Sequence, residues 1–136
     1  MPSAPSYLLE NVYWSFTEPV PESPAHLIEA SRAYALDIGE QEQSKQLETR
    51  LPFSDVVLEF EHHLRDSNGD WKSATEQVRV VGVGFSRLTG AELLWELHAG
   101  CASTLGQSDH HFFEGLELVH TGSVQTPPVY RVLLGS

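Results

Sequence analysis

From Val56 to Arg65 the chain alternates with a period of two. Val56, Leu58, Phe60, His62 and Leu64 fall on one side, and Val57, Glu59, Glu61, His63 and Arg65 fall on the other. That period marks a strand with one buried face and one wet face. Ser67-Asn68-Gly69-Asp70 follows, and a second strand is predicted from Ala74 to Arg87, so the stretch reads as a β-hairpin. Matching the faces sets Phe60 opposite Val78, Leu58 opposite Val80 and Glu59 opposite Arg79, because a slip of one residue turns every side chain over. This register needs an odd-length loop with Gly69 at a left-handed or bulge position. Val80, Val81 and Val83 run together with Gly82, Gly84 and Phe85, apolar on both faces. Such a run predicts a central strand covered on both sides, with the two glycines admitting a closely packed helix.

The flanking segments supply the other elements. Residues 1–6 are rich in Pro and Ser and are expected to fray. Val12 to Phe16 reads as a strand from its aromatic and β-branched content, although Leu9, Val12, Tyr13 and Phe16 also fit helical spacing. Ser23-Pro24 is an N-cap followed by proline at the first helical position. It opens a helix to about Leu36 or Ile38, with a stripe of Leu27, Ser31, Tyr34 and Ile38 and a stop at Gly39. Residues 40–50 are polar and are expected to form an exposed loop or a short solvated helix. Thr89 and Glu92 form a capping box for a helix from Gly90 to Leu105, whose buried stripe is Leu94, Leu97, Cys101 and Leu105. Phe112 to His120 and Val129 to Leu134 are strands, the last inside the sheet. The order β-α-β-β-α-β-β predicts one α+β domain over residues 1–136. A mostly antiparallel sheet of about five strands would carry two helices on one face; the first six elements match the order of a ferredoxin-like, split βαβ arrangement, and a different α+β weave is the alternative.

The formal charge is -11, from 19 acidic and 8 basic residues. Charge bears on partners rather than on fold. It argues against nucleic acid, as does the lack of a basic cluster interleaved with aromatics, and it favours a basic protein. No apolar run is long enough for a membrane span, and the first residues do not read as a signal peptide. Cys101 is the one cysteine, so no internal disulfide forms. These features fit a cytoplasmic protein.

Seven histidines invite a metal reading, but His-Glu-x-x-His and paired Cys-x-x-Cys spacings are absent. No nucleophile elbow or phosphate loop occurs, and Gly82-Val83-Gly84 lacks the third glycine of a dinucleotide fingerprint. No catalytic residue, metal or cofactor is therefore assigned, and whether the chain is an enzyme is left open, leaning to no. The leading expectation is a small acidic module that inhibits or regulates a basic partner protein, as immunity, antitoxin-like or phage anti-defence proteins do. Its contact residues would be Glu59, Glu61 and His63 on the wet hairpin face, with Glu40 and Glu42 at the head of the polar segment. The alternative is a small metal- or ligand-binding enzyme built on Asp109, His110, His111 and Glu114, approached by His98 from the helix. Apolar residues on both faces of the last strand leave room for a homo-oligomer sharing a sheet edge.

Overall fold

The computed structural model describes residues 4–41, 44–105, 111–123 and 125–135. Along the chain run β1 (Tyr7–Leu8), β2 (Trp14–Ser15), α1 (Pro24–Asp37), α2 (Ser44–Glu48), β3 (Asp55–Arg65), β4 (Trp71–Val81), a 3-10 turn (Val83–Phe85), α3 (Gly90–Leu105), β5 (Phe112–His120) and β6 (Val129–Gly135). The α+β expectation holds; the described residues form six strands and three helices, where about five and two were expected. The sheet runs β1-β5-β6-β3-β4, with β2 also on β5. Every pairing is antiparallel except β3 with β6. Two strands, β6 and β3, separate β5 from β4, the pair that α3 links, so this order does not confirm a ferredoxin-like fold.

The hairpin forms, with a different register from the expected one. Leu58 lies across from Val78 and Phe60 from Glu76, two positions away from the predicted pairs. The shift is even, so the faces still match. The loop decides it. The Asp66 carboxylate accepts from the Asn68 and Asp70 N–H groups at 2.9 Å each, which places Arg65 opposite Trp71. Gly69 takes the left-handed conformation at φ +85°, as the odd loop requires.

β4 is an edge strand, not a central one. β6 takes the other side of β3, and β4 is exposed along most of its length. The apolar run leaves the sheet after Val81, so the strand stops short of Arg87. Val83 and Phe85 are 88% and 75% exposed. The glycines serve this turn rather than a covering helix. A Cβ on Gly82 would collide with the Ser86 carbonyl oxygen, and Gly84 sits at φ +61°. β6, by contrast, lies inside the sheet as expected.

Residues 7–16 form two short strands rather than one, because Leu9 and Asn11 turn at φ +56° and +63°. β5 also departs from simple alternation. A bulge between Phe113 and Gly115 lets Phe113 and Leu116 both reach the core, where they are 2% and 1% exposed.

The helices lie on one face of the sheet. The Ser23 hydroxyl accepts from the His26 N–H at 3.2 Å, capping α1. Thr89 and Glu92 cap α3 reciprocally, at 3.1 and 3.2 Å. Leu93, Leu94, Leu97, Cys101 and Leu105 of α3 are buried against Val56, Leu58, Phe60, Tyr130 and Leu116 of the sheet. Of the expected α1 stripe, Leu27 and Ser31 are buried, while Ile38 is exposed. The polar segment before Leu51 contains α2, anchored by fully buried Leu47. Among the described residues, no helix lies on the opposite face of the sheet.

Candidate functional site

α1 and the proline-rich stretch before it enclose a groove of about 780 Å³. Trp95 fixes that stretch by donating its indole N–H to the Pro21 carbonyl at 2.7 Å. Trp14 and Tyr34 meet edge to face, 5.9 Å between ring centres, and line the groove with Val20, Pro21, Ala30 and Ala33. Glu18, Glu22, Glu29 and Asp37 ring this apolar floor, joined by His26. Among the described residues none of the four carboxylates forms an ion pair. Burial, then the negative charges of Glu18 and Asp37, push the Tyr34 phenol above its ordinary pKa.

The uncovered sheet face holds a smaller concavity of about 320 Å³ that brings Glu59, Glu61 and His63 together with Thr75, Arg131 and Leu133. Several carboxylates on this face of the sheet have partners. Glu59 accepts from the Gln77 amide at 3.3 Å and lies 3.8 Å from the Arg131 guanidinium. Arg79 donates to both oxygens of Asp55, at 3.0 and 2.6 Å. That fork holds the Asp55 carboxyl below its ordinary pKa. Glu117 accepts from the Tyr7 hydroxyl at 3.3 Å. Glu40 is not brought to this face: it follows α1, where its N–H bonds the Ala35 carbonyl at 2.8 Å. Glu42 lies outside the described residues.

The histidine alternative is only partly visible. Asp109 and His110 lie outside the described residues. His98 is fully buried and accepts the Trp14 indole N–H through Nδ1 at 3.1 Å. Burial lowers its pKa, opposed in part by the main chain of Phe16 and Glu18. His111 accepts the Phe16 N–H on its carbonyl at 2.9 Å and sets its ring tilted against Phe112, 4.4 Å between centres. Glu114 is exposed at the β5 bulge. No three potential metal ligands cluster among the described residues. His62 is buried on the core face, its Nε2 3.5 Å from Glu76. The buried Cys101 thiol is pushed up to about 12, which keeps it protonated and non-nucleophilic at neutral pH.

Sequence reasoning missed the groove. A signal was present: His26, Glu29, Ala33 and Asp37 recur at spacings of three and four, the face of α1 opposite its buried stripe. The chain has no helix long and apolar enough to cross a membrane among the described residues. Comparison with known proteins finds no matching family model, no matching curated protein and no matching solved structure.

Proposed function

We propose that this chain is a protein-binding module that docks a basic segment of a partner protein, and that by covering that segment it inhibits or regulates the partner. The observation that carries the reading is the groove at α1, where four carboxylates with no ion-pair partner among the described residues surround an aromatic and aliphatic floor. A lysine- or arginine-bearing segment with one large apolar side chain matches both features, the apolar group burying against Trp14 and Tyr34. Glu59 contributes less, because Arg131 and Gln77 already engage it.

The test is an NMR titration of the ¹⁵N-labelled protein with a synthetic peptide alternating lysine and leucine, at low salt. The expected result is shifts at the Trp14 and Trp95 indoles and the Ala30 and Ala33 amides, suppressed by added salt. Glu22→Lys with Glu29→Lys removes them, while Glu59→Lys with Glu61→Lys leaves them. Shifts confined to the β3 face, or no shifts, would overturn the assignment to the groove.

A further inference from the structure

We propose that the outer edge of β4 pairs antiparallel with β4 of a second copy of this chain, in the register that sets Lys72 of each opposite Glu76 of the other. β4 ends the sheet, with β3 on one side and no described strand on the other. The Asp66 N–H bonds the Asp70 carbonyl and the Gly82 N–H bonds the Ser54 carbonyl, both at 2.8 Å. Even-numbered positions of β4 therefore turn their main-chain groups inward to β3. Odd-numbered positions from Trp71 to Val81 turn theirs outward, and among the described residues no main-chain hydrogen bond reaches them. An open row of this length is a template for another strand.

Charge selects both the partner and the register: Lys72, 3.6 Å from Asp66 in its own chain, and Glu76, 3.5 Å from His62, both remain exposed at the edge. Pairing that keeps side chains on matching faces admits only a few alignments. Centred on Ala74, it brings Lys72 and Glu76 together twice by symmetry. Both fall at non-hydrogen-bonded positions, where facing side chains come closest. Trp71 then pairs with Gln77 and Ser73 with Thr75 through the outward main-chain groups. Centred on Glu76, two carboxylates would meet; centred on Thr75, Lys72 and Glu76 would face Val78 and Ala74; centred on Ser73, Glu76 would face Asp70. Helix α3 does not obstruct this alignment. It meets β4 at Val78, where a Cβ on Gly100 would lie 3.2 Å from Val78 Cγ2, while Lys72, Ala74 and Glu76 are exposed.

Sedimentation velocity of the full chain over a concentration series, at mildly alkaline pH, tests this. The wild type is expected to show a concentration-dependent monomer–dimer equilibrium. Lys72→Glu alone and Glu76→Lys alone each set like charges opposite in both pairs and weaken the dimer by about tenfold or more. Mixing the two variants restores association, because the new carboxylate of one faces the new ammonium of the other, and the double exchange in one chain restores it as well. A wild type that stays monomeric throughout, or a dimer indifferent to both substitutions, would overturn the proposal.

Discussion

Trp14 donates its indole N–H to Nδ1 of His98 at 3.1 Å, joining two residues 84 positions apart. An indole nitrogen only donates, so Nδ1 is an acceptor and the neutral ring carries its proton on Nε2. The ring is fully buried and sits edge to face with Trp14 and Phe16, at 5.8 and 5.3 Å between centres. Protonating Nδ1 would break the bond and leave a cation in the core.

A pH dependence follows from the lowered His98 pKa. The unfolded chain takes up a proton at this residue as pH falls through about 6.5, while the folded chain resists until lower pH. The contribution of the site to stability is therefore complete above about pH 6.5 and is lost as pH falls below it. Thermal melts are expected to show a falling Tm across that window. In His98→Gln the amide oxygen still accepts from Trp14 but nothing titrates, so the slope flattens even where Tm is lower throughout. An unchanged slope would place the proton uptake elsewhere.

What was legible in the sequence was set by residues close to one another. The β3 alternation, the left-handed Gly69, the Ser23 cap and the Thr89 capping box each depend on a few neighbouring positions, and each is found in the structure. What was not legible depends on distant chain. Val80 to Phe85 has the composition of a covered strand, yet β4 is an edge because β6, from the end of the chain, takes the other side of β3. The β5 bulge turns Leu116 onto the same face as Phe113, which no period-two reading reveals. The groove exists because Trp95 holds Pro21 from across the fold: Glu29 and Asp37 share a helix face that the sequence displays, but Glu18 and Glu22 join them only in space.

Leu47 illustrates the same point as a prediction. It sits in a segment polar enough to read as an exposed loop or a solvated helix, yet it is fully buried beneath the start of α3. A Cβ on Gly90 would come within 3.1 Å of the Leu47 Cα, so the two backbones touch. Leu47→Ala is expected to lower unfolding free energy by about 2–4 kcal/mol, the usual range for emptying such a site. Urea titration should show a lower midpoint at an unchanged slope, while exposed Glu48→Ala changes stability by less than about 0.5 kcal/mol. A loss below about 1 kcal/mol at Leu47 would mean that α2 is not packed in solution.

Phe85 offers a prediction of opposite sign. It holds φ +60°, a region that costs an L-residue with a bulky side chain about 1–2 kcal/mol. Its ring is 75% exposed, so little burial offsets that cost. Asparagine tolerates the left-handed region far better. Phe85→Asn is expected to raise unfolding free energy by about 0.5–1 kcal/mol in equilibrium urea titrations. Gly84→Ala, one residue earlier at φ +61°, is expected to lower it by about 1 kcal/mol, since the added Cβ meets no clash and only the backbone strain remains. The two substitutions thus separate strain from packing within one turn. A loss of stability in Phe85→Asn would mean that the ring buries against the protein in solution and that packing, not strain, governs this turn.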